Sequence, residues 1–223
     1  MGGLHTTPVM NVLHGEMLQI MSRDSYTTQI AACKANTRAN RGTGPKVVND
    51  FRIEFYGTER NGNNDTFGKW LSNCYRAPIT IDGKTYPSSE HYYQMQKFVC
   101  APDDPAILAW CDANVTHPAA YTGIISDVHD YMLTLSPVKV AEYGRTCRTV
   151  PLRSDWDAVK DHAMFEALNA KFTQNPTFAD ALCSTGERVL IERAPKDTYW
   201  GISNAGIGTN NLGVMLMIIR DSL

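Results

Sequence analysis

The chain has 223 residues, 43% of them hydrophobic and 20% charged, with a formal net charge of −2. That length suits one well-packed domain, and those proportions are ordinary for a globular protein. A near-neutral balance excludes a strongly basic nucleic-acid protein, and no apolar run approaches a membrane span.

Residues 1–48 differ in composition from the rest. From Ser25 to Val48 there is no acid, while Lys34, Arg38, Arg41 and Lys46 are present, and Met10 to Met21 has some helical character. This segment reads as a mobile N-terminal extension, with a weak targeting sequence as the alternative, ahead of a domain at 49–223. The expected compartment is the cytoplasm, or the nucleus or an organelle if the extension is an address.

Asp50 to Tyr56 alternates Phe51, Ile53 and Phe55 with polar residues, as a half-buried strand does, and residues 59–66 read as a loop. Ile79 to Tyr86 reads as a β-hairpin turning on Asp82-Gly83, a type I′ pair. The hairpin runs into Ser88, an N-cap for a helix whose Tyr92, Met95 and Val99 form a buried stripe. Glu90, Gln94 and Lys97 recur on another side, and seven residues of helix separate Glu90 from Lys97 by about 10.5 Å along the axis. A carboxylate and an amine flanking a sugar-sized group suit acid–base or covalent chemistry. Taken alone, Glu90 equally complements the helix dipole and Lys97 reads as a solvated surface residue.

The middle of the chain is helical. Asp104–Ala113 is a short helix, and Ser136-Pro137 opens another that Gly144 closes. Ser154 opens the longest, with Trp156, Val159, Ala163, Leu168 and Phe172 on its apolar side. Asn175-Pro176 opens a helix ending near Gly186, 188–193 is a strand, and 211–219 is an apolar final helix. The expected fold is α+β, a single helix-rich domain with a small, mainly antiparallel sheet, and not a doubly wound nucleotide fold.

Six cysteines and six histidines are dispersed, with no C-x-x-C pair and no Cys/His cluster at zinc spacing. Free thiols are expected, no metal site is implied, and His91 reads as a hydrogen-bonding histidine. The stretch 201–213, with Gly201, Gly206 and Gly208, leads into a helix whose free N–H groups suit a phosphate, or else is an ordinary glycine loop. Trp200 suits stacking and Asp197 suits hydroxyls or a water, with a core tryptophan and a turn acid as the alternatives. Arg145 reads either as a phosphate fork or as a dipole partner. Trp70 suits covering a ligand or packing, Asn73 suits reading a base edge, and Trp156 and Phe172 are core.

Several ordered motifs resemble the NADAR family. They are Phe67-Gly68-Lys69-Trp70-Leu71-Ser72-Asn73-Cys74-Tyr75, Tyr86 to Phe98, Gly144-Arg145, Arg153 to Asp157, Lys171 to Pro176, Thr185-Gly186 with Leu190-Ile191-Glu192, Asp197 to Gly201, and Gly206 to Gly213 running into Leu216-Met217 and Arg220. They span roughly residues 50–223. The resemblance implies an N-glycosidase that needs no cofactor, with Glu90, Lys97 and Asp197 as the reacting groups. It also implies ligand contacts from Trp70, Asn73, Ser89, Tyr93, Arg145, Trp200, Gly201, Gly206, Gly208 and Asn211.

Two substrate groups go with that family. One is ADP-ribose on the exocyclic amino group of guanine in DNA or RNA, with ADP-ribose as product. The other is the ribosylamine phosphates of riboflavin synthesis. A single domain without a fused riboflavin enzyme favours the first, and no obligate protein partner is inferred. A non-catalytic module that binds ADP-ribose or NAD is the alternative of another class. Cys74 where phenylalanine is common, Thr198 where arginine is common, and Ser203 among the loop glycines depart from the family pattern and bear on substrate choice.

Overall fold

The computed structural model describes residues 52–56, 68–99, 103–115 and 118–223, the side chains of 118 and 119 excepted. The readings made for residues 1–48 and for the 59–66 loop lie outside the described residues. Strand β1, Arg52–Phe55, buries Ile53 and Phe55 and turns Arg52 and Glu54 outward. It pairs in parallel with β4, Val189–Glu192. A fork from Arg193 to Glu54, with bonds of 2.8 and 2.6 Å, ties the two strands beyond the ladder.

Strands β2 (Ile79–Ile81) and β3 (Lys84–Tyr86) form the expected hairpin. Asp82 and Gly83 both take positive φ at its turn, as a type I′ turn demands. The helix-rich α+β expectation holds. The strands divide into one antiparallel pair and one parallel pair, because half the chain separates β1 from β4 and a hairpin cannot join them.

Seven α-helices follow among the described residues. They are α1 (Ser89–Met95), α2 (Pro105–Asn114), α3 (Pro118–Thr134), α4 (Pro137–Thr146), α5 (Trp156–Thr173), α6 (Pro176–Cys183) and α7 (Asn211–Ser222). Helix α3 is absent from the sequence reading, which has nothing between 113 and 136. Helix α4 runs two residues past Gly144, which lies inside it and lets α1 approach. At the start of α5, Ser154 does not cap. Its N–H and hydroxyl instead donate to Asp104, at 2.7 and 3.0 Å, while Asp104 also caps α2.

The central layer is α1 laid against α5 and α4, with α7 behind, between β4 and α5. Leu168, Phe172, Leu182, Leu190 and Leu216 are completely buried there. Each fully buried side chain of this size contributes roughly 1.5–3 kcal/mol. No helix of the described residues is long and apolar enough to cross a membrane.

Candidate active site

Helix α1 begins as its sequence requires. The Ser88 hydroxyl accepts from the His91 N–H and bonds the His91 Nδ1 at 2.7 Å, while His91 Nε2 donates to the Leu135 carbonyl at 3.0 Å. These bonds fix the histidine tautomer and lock the first turn against α3. The locked turn places Glu90 in the interior, only 4% exposed. The side chain of Asn73 donates to one Glu90 oxygen, and Gln94 Nε2 donates to the other at 2.7 Å. Burial pushes the Glu90 carboxyl up to about 7, against the pull of the Gln94 bond and of the Lys97 and Arg145 charges.

Lys97 does not lie on the regular helix that its spacing suggests. Helix α1 ends at Met95 and the chain tightens, so that the Lys97 N–H donates to the Gln94 carbonyl at 3.3 Å. The turn still sends the amine toward Glu90. Nζ donates to the Gly144 carbonyl at 3.3 Å and lies 5.6 and 5.5 Å from the Tyr93 and Trp156 ring centres. Burial lowers its pKa and the Arg145 charge adds to the effect, while Glu90 opposes both. A cleft of about 450 Å³ opens beside it, walled by Lys97, Gly144 and Arg145 with Trp110, Arg148 and Leu152.

Other predicted residues settle into distinct roles. Tyr93 is buried, with Trp156 and Trp200 rings against it at 5.1 and 5.5 Å, and it accepts a hydrogen bond from Trp200. Asp197 is exposed and holds a turn through the Tyr199 and Trp200 N–H groups, at 3.0 and 2.9 Å, yet its charge reaches Glu90. The carboxamide of Asn73 donates to Glu90, so it positions the acid. Ser89 is wholly buried and donates to the Ala167 carbonyl at 3.2 Å, which makes it a helix–helix contact. Trp70 sits half-buried, edge-on to Phe172.

The glycine-rich loop differs most from expectation. A Cβ on Gly201 would meet Ala194 and the Glu192 carbonyl at 2.7 Å, and one on Gly208 would meet the Gly201 carbonyl at 2.1 Å. These glycines pack the loop against the end of β4, with Ile202 bridging to both Arg193 and Gly208. Gly206 serves a positive-φ turn in open space. The first N–H groups of α7 are already committed, Asn211 to the Tyr199 carbonyl and Leu212 to the Trp200 carbonyl. Those two N–H groups are therefore not free for a phosphate, and Arg145 and Arg148 line the cleft beside Lys97.

Four contributors went unread in the sequence. Gln94 was noted only for spacing. Gly144 leaves room for it, since a Cβ there would sit 1.9 Å from Gln94 Oε1. Lys171 is completely buried and donates to the Trp70 and Ser72 carbonyls at 2.6 and 2.8 Å, fixing the turn that carries Asn73. Glu192, at the end of β4, is 9% exposed, and its charge acts on the same cluster as Glu90 and Asp197. Both Lys171 and Glu192 fall inside quoted motifs. A charged residue closing a helix or strand carries no local mark of burial.

Comparison with known proteins identifies the family. The N-glycosidase YbiA of Escherichia coli (strain K12) is 36% identical over 177 residues, covering 79% of this chain and 91% of that protein. The solution NMR structure of E. coli YbiA superposes with a TM-score of 0.56 at 33% identity, over 79% of this chain and 86% of that one. A chloroplastic riboflavin biosynthesis protein, PYRR of Zea mays, is 34% identical over 142 residues, 62% of this chain and 20% of that longer protein. The NADAR domain matches residues 55–223, and the chain belongs to the NADAR family.

Proposed function

We propose that the protein is an N-glycosidase that hydrolyses the bond between an anomeric carbon and an exocyclic amino nitrogen. Its proposed substrate is ADP-ribose carried on the amino group of guanine in nucleic acid. The observation that carries the chemistry is the pairing of two buried groups whose charges act on each other, a Glu90 carboxyl raised to about 7 and a Lys97 amine of lowered basicity on the wall of a cleft. A general acid–base works best when its pKa lies near the working pH, and a lysine attacks only when unprotonated.

In the covalent route Glu90 donates a proton as the sugar ring opens to an imine at the anomeric carbon. Lys97 adds there, the guanine amine departs, and the lysine is left as a Schiff base. Water then adds to that imine, releasing the free sugar and restoring the amine. In the direct route Glu90 activates water against an oxocarbenium-like centre, and Lys97 binds the sugar or its phosphate. Arg145 and Arg148 on the cleft wall suit the diphosphate. The name of the maize relative supports a second reading, hydrolysis of the ribosylamine phosphates of riboflavin synthesis, which carry the same bond.

The test is incubation with an oligonucleotide bearing ADP-ribose on guanine, followed by mass spectrometry. Sugar release that fails in Glu90→Ala and Lys97→Ala, with a borohydride-trapped adduct at Lys97 in the wild type, is the expected result. Release without an adduct selects the direct route. No release from the oligonucleotide overturns this substrate, and turnover of a ribosylamine phosphate would then establish the second reading.

A further inference from the structure

The proposed reaction draws on the cationic part of the cleft and leaves its apolar part without a role. Lys97, Arg145 and Arg148 supply the cations, and among the described residues no carboxylate lines the cleft with them. Trp110, Pro151 and Leu152 belong to the apolar part. The cleft volume of about 450 Å³ lies in the range of sites that enclose a whole small ligand.

Both parts are tied to Lys97 by hydrogen bonds within the protein. The Arg153 N–H donates to the Lys97 carbonyl at 3.1 Å. Next in the chain, the Ser154 N–H and hydroxyl donate to Asp104, which caps α2 by accepting from the Ala106 and Ile107 N–H groups at 2.8 and 3.3 Å. The segment that carries Pro151 and Leu152 is therefore joined both to Lys97 and to the helix of Trp110. The buried Tyr121 ring lies 5.4 Å from that of Trp110 and steadies it from α3, yet Trp110 stays half-exposed. Leu152 is 44% exposed, a large apolar side chain in the lining that holds three cations. Arg148 Nη1 donates to the Arg145 and Cys147 carbonyls at 3.2 and 2.6 Å, which orients its guanidinium. The ion pairs among the described residues include neither arginine. Glu142 feels the Arg145 charge but is paired with Lys139 at 2.7 Å.

Guanidinium groups and an ammonium with no acid among them suit a phosphate-rich anion. A half-exposed aromatic ring in the same cleft suits a flat group, and a nucleobase stacks on such a ring whatever its identity. A sugar monophosphate brings a phosphate but no flat group, and would leave Trp110 and Leu152 to water. We propose that Trp110, together with Leu152, forms a nucleobase platform, so that the cleft takes a nucleoside diphosphate as the part of the substrate remote from the cleaved bond. This inference rests on the N-glycosidase reading above and names what that site recognises. Trp110 becomes a specificity residue, favouring a sugar that carries a nucleoside diphosphate over a simple sugar phosphate.

Calorimetric titration of the full chain with ADP, inorganic pyrophosphate and ribose 5-phosphate tests it without turnover. The wild type is expected to bind ADP at least roughly tenfold tighter than either of the other two, the effect of one stacked base. Trp110→Ala should remove that advantage and leave pyrophosphate within about twofold of its wild-type affinity, whereas Trp110→Phe, which keeps a ring, should retain most of it. Unchanged pyrophosphate binding shows that the arginines are still in place. Leu152→Ser, at an exposed position, should weaken ADP alone by about threefold. Equal affinity for ADP and pyrophosphate in the wild type, or equal losses for both in Trp110→Ala, overturns the platform. A Trp110→Ala loss seen only with an unmodified single-stranded oligonucleotide overturns it as well, since the ring would then touch the nucleic acid. Release of amino-linked sugar is scored apart. A protein that cleaves without preferring ADP sinks only this inference, and one that prefers ADP through Trp110 without cleaving sinks only the reaction.

Discussion

The two walls of the site are built on opposite plans. On the α1–α4 wall the side chains are tied to one another: Asn73 and Gln94 donate to Glu90, Lys97 donates to the Gly144 carbonyl, and Lys171 holds the Asn73 turn. On the β4–α7 wall the backbone is saturated, through the Asn210 clamp and the loop carbonyls that take the α7 N–H groups, while Glu192 and Asn211 keep unpartnered side-chain atoms. Held side chains suit chemistry, which needs atoms fixed before substrate arrives. Perturbed titration marks both walls and does not separate them. Hydrogen bonding separates them in degree, since Gln94 Oε1 is also buried without a partner on the first wall.

The largest expected effect breaks the first wall at its reacting group. Lys97→Ala should reduce turnover by roughly a thousandfold, about 4 kcal/mol of barrier, while Tm moves little because the amine makes a single 3.3 Å bond. Single-turnover kinetics on the wild type and the variant would show it, and an unchanged rate would remove lysine from the mechanism. Lys171→Met should have the reverse profile. It orphans two buried carbonyls, so stability should fall by roughly 3 kcal/mol in urea unfolding. If Lys171→Met matched the wild type in midpoint, the support assigned to the Asn73 turn would be wrong.

Local rules explain what was readable in the chain. The Ser88 cap, the Asp82-Gly83 turn, β1 and helices α2, α4, α5, α6 and α7 each carry a start signal or a periodicity within a few residues, and the structure contains them all. Helix α3 was missed because Gly123 and β-branched residues interrupt its pattern, and its stability comes from packing of Tyr121, Val128 and Met132. The pairing of β1 with β4 joins residues more than a hundred positions apart, and no local signal encodes that. In the site, Glu90 and Lys97 were legible from helical spacing and the family motifs. Glu192 and Lys171 were not, since burial of a charge at the end of an element depends on what the rest of the fold lays over it. The glycine loop kept two readings for a related reason: glycines that admit a phosphate and glycines that admit a neighbouring strand look alike in sequence.

Gly144→Ala sharpens the first wall without removing any polar group. The new methyl would lie 1.9 Å from Gln94 Oε1, so either α4 retreats or Gln94 swings away and its 2.7 Å bond to Glu90 is lost. Overpacking of this kind costs roughly 1–3 kcal/mol. The Gln94 bond holds the Glu90 carboxyl down, so its loss should move the titration of Glu90 further above 7. The pH dependence of kcat/KM reads that movement directly. A variant that loses stability but keeps the wild-type pH profile would show that α4 yields and Gln94 stays.

The smallest effect belongs to the second wall and concerns stability alone. The folded-state carboxyl of Glu192 sits above its ordinary value of 4.5, at about 8, because burial disfavours the anion and the Asp197 and Glu90 charges add to the effect. Between those values the unfolded chain releases a proton that the folded chain keeps. The stability contribution of Glu192 is therefore fully present below pH 4.5 and is lost as pH rises toward 8. Glu192→Gln does not titrate, so the other ionisable groups cancel when it is compared with the wild type. Its Tm should gain on that of the wild type from pH 5 to pH 9 and then stay level. A gap that stays constant over that range would mean that the folded carboxyl titrates no higher than the unfolded one, so that burial at the end of β4 does not hold its proton.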